Sequence, residues 1–127
     1  MKTWLYAIIL IALSAPAYSQ DGSALGDYGF GHDEWHDWYN TGENGGPLMR
    51  PNQKHTKCCD GDCRPTVAAF KNGAWKVYVD RGWEPVPEHV IKWGLTPPNG
   101  TAHVCASKRT EHSKPIIFCF IVPEAGT

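Results

Sequence analysis

The stretch Cys58-Cys59-Asp60-Gly61-Asp62-Cys63 gathers three of the chain's five cysteines into six positions, and Cys105 and Cys119 follow in apolar segments. Cysteines at this density pair as disulfides, hold a soft metal, or leave one thiol reactive. Five is an odd number, so one thiol has no partner within the chain. Local spacing favours a bridge from one of Cys58 and Cys59 to Cys63, with Gly61 taking the turn that a small ring demands. A second bridge, Cys105–Cys119, would close a hairpin loop of about 15 residues and contribute roughly 3 kcal/mol in the chain-entropy model. The unpaired thiol is then the other member of the vicinal pair, because a Cys58–Cys59 bond strains the peptide between them. In the alternative, Cys105 or Cys119 reaches back to the 58–63 cluster and ties that loop to a sheet. The spacing is neither the C-x-x-C of a thioredoxin-like site nor a paired C-x-x-C zinc ribbon, so the cluster reads first as a staple.

His32 and His36 are four apart, which puts two imidazoles on one helix face. The segment is His-Asp-Glu-Trp-His, and its glutamate stands one position away from the general-base place of H-E-x-x-H, so a metalloprotease is not indicated. A metal site of His32 and His36 with a thiolate from Cys58 or Cys59 would suit zinc or copper. Trp35, Trp38 and Tyr39 form the other candidate, an aromatic platform for a sugar ring or a partner's side chains. The same three rings read more simply as staples of the helix onto a sheet, because a small domain needs large buried groups. The chain has no G-x-S-x-G elbow, phosphate-binding glycine loop or dinucleotide fingerprint, and no catalytic residue is indicated.

The elements that would position these groups are mostly strands. Residues 32–40 read as a short helix with Asp33 and Glu34 in the first turn and Gly42 as its stop. Residues 20–31 read as a flexible glycine-rich lead-in and 42–57 as a long loop. "TVAAF" and "AWKVYVD" flank Asn72-Gly73, a hairpin signal, and "DRGW" (80–83) is a second turn. Pro85 and Pro87 allow an edge strand followed by one helical turn. "TAHVCAS" and "PIIFCFIVP" read as two further strands, and 124–127 as a loose tail. The expected fold is mainly β (small α+β): antiparallel hairpins with one short N-terminal helix, disulfide-stabilised, as a single small domain over 32–123.

Residues 1–19 read as a cleavable signal peptide. Lys2 precedes an apolar run from Trp4 to Leu13, and Ala17 and Ser19 stand at −3 and −1 of a cut before Gln20. The run is shorter than the ~20 residues of a spanning helix, so the mature chain is expected to have no membrane span and to be periplasmic or secreted. The formal net charge is −1, with no basic surplus to hold nucleic acid.

"HDEWHDWY", "CCDGDCRPT", "GWEPVP" and "AHVCAS…FCF" together resemble a group of small exported alphaproteobacterial proteins of unknown function. The likeness runs from His32 to Val122, and its most specific parts are H-D-x-W-H-x-W-Y and C-C-x-x-x-C-R-P. It implies a bacterial periplasmic or secreted location and brings no activity. The functional expectation is an exported, non-catalytic binding module whose partner is an unknown protein or carbohydrate. A periplasmic metal-binding protein comes second and a thiol-based redox enzyme third.

Overall fold

The computed structural model describes residues 24–40, 46–97 and 100–124. The expected signal peptide, the start of the lead-in, Gly42 and residues 125–127 of the tail lie outside them. The described residues are mostly strand, with one helix, α1 (His32–Asn40). Asp33 and Glu34 occupy its first turn, where negative charge complements the dipole.

The strands are β1 (Met49–Arg50), β2 (Gln53–Lys57), β3 (Cys63–Thr66), β4 (Ala68–Lys71), β5 (Ala74–Val79), β6 (Gly82–Pro85), β7 (Ile91–Lys92), β8 (Ala102–Ala106) and β9 (Ile117–Ile121). A 3-10 turn, Glu88–Val90, precedes β7. β4, β5 and β6 make an antiparallel meander. Its first turn has Asn72 at φ 54° and Gly73 at 78°, and its second has Asp80 at 48° and Arg81 at 66°. Positive φ at both central residues matches the twist of a two-residue hairpin. β3, β8, β9 and β7 form the other main sheet in that order, antiparallel except for the parallel β7–β9 pair.

The molecule stacks in three layers. Val77, Val79 and Val86 of the meander pack on Ala102, Val104, Ala106, Ile117 and Phe120 of the four-stranded sheet. On the sheet's other face Trp38 and Tyr39 of α1 pack with Leu48, Ile121 and all five cysteines. The four-stranded sheet is therefore the middle layer, and β8 is buried along its whole length.

Three expectations change. The strand around "TVAAF" divides at Val67: β3 pairs with β8, and β4 pairs with β5. Part of the expected long loop is an antiparallel ribbon, β1–β2, whose largely exposed residues lack the apolar alternation that marks a half-buried strand. The described part of the lead-in is pinned rather than flexible. Gly26 N–H donates to the Pro65 carbonyl at 2.9 Å, and the Gly26 carbonyl accepts from Asp80 N–H at 3.0 Å. Gly26 has φ 88°, and a Cβ there would run into the Tyr78 carbonyl and the Thr66 hydroxyl, so glycine at this position permits a close approach as well as a turn.

Candidate functional site

Helix α1 carries His32, His36 and Tyr39 at i, i+4 and i+7, on one face. That face lies over the sulfur cluster. Cys58 is bonded to Cys119 and Cys63 to Cys105, while Cys59 is free and buried. The pairing favoured by local spacing was incorrect, and the alternative holds: both Cys105 and Cys119 reach back to the 58–63 cluster, and the thiol left over belongs to the vicinal pair. Cys105 and Cys119 stand opposite each other as expected, but Cys105 also faces Cys63 on its other side. Directly opposed residues share a sheet face, so Cys63, Cys105 and Cys119 form a row across β3, β8 and β9. The bridge from Cys105 turns to β3, and Cys119 takes the loop cysteine.

Cys59 is 3% exposed. Burial pushes its thiol above the ordinary range; the main-chain N–H groups of Cys63, Gly61 and Asp62 oppose that shift, and the Asp62 carboxylate adds to it. Gly61, at φ 85°, lets the loop fold back so that its amides face the sulfur. Asp62 Oδ1 accepts the Asp60 N–H at 3.0 Å and fixes the turn.

His32 Nδ1 lies 2.8 Å from the Cys63 carbonyl and 4.0 Å from Cys59 Sγ. A carbonyl only accepts, so this nitrogen carries a proton. His32 thus gives that N–H to the carbonyl and does not take a proton from the Cys59 thiol through Nδ1, as a general base would. On the far side of the ring, His32 Nε2 is 3.3 Å from His36 Nδ1.

Trp38 and Tyr39 do not form the expected platform. Their exposures are 7% and 0%, because the apolar stripe that makes the helix amphipathic is the stripe the sheet covers. Trp35 is half-buried and meets His103 edge-on at 5.9 Å. His103, on β8, is fully buried in a cage of Trp35, Trp38 and Tyr39. Burial holds the Tyr39 phenol far above its usual range, so its hydroxyl keeps its proton, and it is hydrogen-bonded with His103 Nδ1 at 2.7 Å. Strand alternation places His103 on the face shared by Cys105, a signal present in "AHVCA".

Arg64 is the buried brace of this region, with no solvent exposure. Its Nη1 donates to the carbonyls of Asp62 (2.8 Å) and Ala106 (2.7 Å), its Nε to Gly26 (3.0 Å), and its Nη2 pairs with Asp80 at 3.5 Å. It therefore joins the cysteine loop, β8 and the pinned lead-in. Arg109 reinforces the far end, with its N–H donating to Asp80 at 2.7 Å and its guanidinium pairing with Glu84 at 2.6 Å.

The exposed aromatic residues lie elsewhere. Trp83 on β6 is 50% exposed and opposes Tyr78 on β5, with ring centroids 5.5 Å apart. Lys76 opposes Pro85 on the same sheet face, which points away from the core. The two-residue turn at Asp80-Arg81 sets this register, so the pairing of Tyr78 with Trp83 was derivable from "YVDRGW".

Among the described residues, Cys59, Asp62 and Cys63 form a cluster whose potential ligand atoms lie within 4.8 Å of one another. The Cys63 sulfur is committed to a disulfide, so no three-donor set exists there while that bridge stands. His36 and Cys59 approach different nitrogens of the His32 ring, so that geometry does not gather His32, His36 and Cys59 around one ion. No helix among the described residues is long and apolar enough to cross a membrane. No protein-family description, curated protein or solved structure matches this chain.

Proposed function

We propose that this chain is an exported, disulfide-braced module that binds a protein or carbohydrate through the outer face of the meander and carries out no catalytic step. The supporting observation is the Tyr78–Trp83 pair: a half-exposed indole fixed by its cross-strand neighbour, on a sheet face that no described part of the chain covers. Rigid aromatic rings bind at low cost in side-chain entropy, which is why they anchor interfaces and sugar sites. The two disulfides suit an oxidising compartment. Together with the resemblance to small exported alphaproteobacterial proteins, they make the bacterial envelope or its surroundings the proposed location. The test is binding of the immobilised mature protein to panels of envelope glycans and exported polypeptides. Trp83→Ala weakens the strongest interaction about tenfold or more, roughly 1.4 kcal/mol, while Trp35→Ala binds like the parent. Equal binding by Trp83→Ala and the parent removes this reading.

A second reading is supported by the 3.3 Å between His32 Nε2 and His36 Nδ1. Two nitrogens on one tetrahedral zinc, each about 2.0–2.1 Å from the metal, stand at nearly that separation. The two imidazoles would hold zinc or copper at the exposed end of the helix face, with water completing the shell. Calorimetric titration of tag-free protein with zinc then shows one site, and His36→Ala weakens it at least tenfold. A titration unchanged by that substitution eliminates the metal reading.

A further inference from the structure

Four disulfide-bonded sulfurs and one free thiol lie in a single buried cluster. Cys59 Sγ lies within 4.8 Å of Cys63 Sγ, which is one half of an existing bond. Cys105, the other half, directly opposes Cys119, which belongs to the second bond. Opposed side chains on adjacent strands have Cβ atoms about 4.5–5.5 Å apart. The Cys59 sulfur therefore neighbours the Cys63 sulfur, and Cys105 stands directly across the strand pair from Cys119.

We propose that the cysteine cluster is an internal thiol–disulfide relay, in which the unpaired thiol passes from Cys59 to Cys105 and then to Cys58. In the first exchange the Cys59 thiolate attacks Cys63 Sγ. A Cys59–Cys63 bond forms, the Cys63–Cys105 bond breaks, and the electron pair leaves on Cys105 Sγ, which takes up a proton equivalent to the one Cys59 released. In the second exchange the Cys105 thiolate attacks Cys119 Sγ. A Cys105–Cys119 bond forms, the Cys58–Cys119 bond breaks, and Cys58 becomes the thiol. Two disulfides and one thiol are present at every stage, so the relay needs no oxidant or reductant.

The loop is built for the first exchange. Gly61 holds the left-handed conformation that folds residue 59 toward residue 63. The three main-chain N–H groups at the Cys59 sulfur offset part of the burial that holds its thiol above the ordinary range. The end state contains the two bridges that spacing alone favours, Cys59–Cys63 and Cys105–Cys119. This inference is independent of the outer aromatic face and of the histidine pair.

The test maps the thiol in the wild-type mature protein. Samples are held at pH 8.5 for minutes to hours, quenched in acid, unfolded, and labelled with a pyridyl disulfide that reacts at low pH. Peptic peptides are then identified by mass. Label appears first at Cys59 and then also at Cys105 or Cys58, and the rate of migration rises with pH because the thiolate is the attacking species. Label confined to Cys59 after hours at pH 8.5 overturns the relay. Cys105→Ser provides a second route: refolded with oxidised glutathione, it closes Cys59–Cys63 beside Cys58–Cys119 and retains no thiol. Two thiols left in that variant, on Cys59 and Cys63, also overturn the proposal.

Discussion

Replacing Cys58 and Cys119 together by alanine lowers the free energy of unfolding by roughly 3 kcal/mol, less than the about 4 kcal/mol that their bridge, with a sequence separation of 61, is worth when taken alone. The Cys63–Cys105 bridge, with a separation of 42, is worth about the same when taken alone. The two are not additive. With the outer bridge in place, the shorter way round from Cys63 to Cys105 passes through it and spans only about 20 residues, so the inner bridge adds roughly 3 kcal/mol. Removing all four cysteines therefore costs about 7 kcal/mol, comparable to the whole stability of a domain this size, and that variant is unfolded at 37 °C. Denaturant midpoints of the two paired variants and the fourfold variant check the series. A loss below about 1 kcal/mol for the outer pair would mean that this bridge does not constrain the chain.

Arg64→Met costs about 3–5 kcal/mol, the range for removing one partner from a buried ionic network. Methionine keeps much of the apolar stem but takes the Arg64 donor from the Ala106 carbonyl and one of two donors from the carbonyls of Asp62 and Gly26, which keep the N–H groups of Ala106 and Asp80. Asp80 loses one cation but keeps the N–H of Arg109 at 2.7 Å, so most of the loss comes from the three carbonyls. Arg64→Lys restores less than half of it, because one ammonium cannot span acceptors on three separate segments. Urea unfolding of both variants gives the comparison. A cost within about 1 kcal/mol for the methionine variant would show that the brace is dispensable. The same substitution frees the loop beyond Asp62, so Cys59 in that variant reacts faster with iodoacetamide.

Much of the fold was legible because it rests on local chemistry. Asn72-Gly73 and Asp80-Arg81 set their own turns, and alternation in 74–79 marked a half-buried strand. Placement of Cys105 opposite Cys119 followed from the polar loop between them. The disulfide partners were not legible, since they depend on β3 pairing with β8 across 42 residues, and no local pattern fixes that register. Trp38 and Tyr39 were ambiguous for a physical reason: an aromatic stripe has the same spacing whether a sheet or a ligand covers it. Arg64 was hidden by its type. A charged residue in "CRPT" reads as surface, yet all four of those residues are buried, and only the three-dimensional meeting of Gly26, Asp62 and Ala106 accounts for it. The lead-in was misread because its glycines, which suggest freedom, are used at Gly26 to bring two backbones into contact.

The bridges are nested, with Cys63–Cys105 enclosed by Cys58–Cys119. A protease that cuts the exposed segment around Lys108 or Lys114 leaves a long fragment and a short one still joined through Cys119. A cut at the Lys71 end of the first meander turn leaves two halves joined twice. Between Cys63 and Cys105, no single scission of the backbone separates the molecule into pieces, and β8 keeps its buried place with a neighbour bonded to it. Nicking, which disperses most small exported domains, here produces a two-chain molecule with its layers still joined.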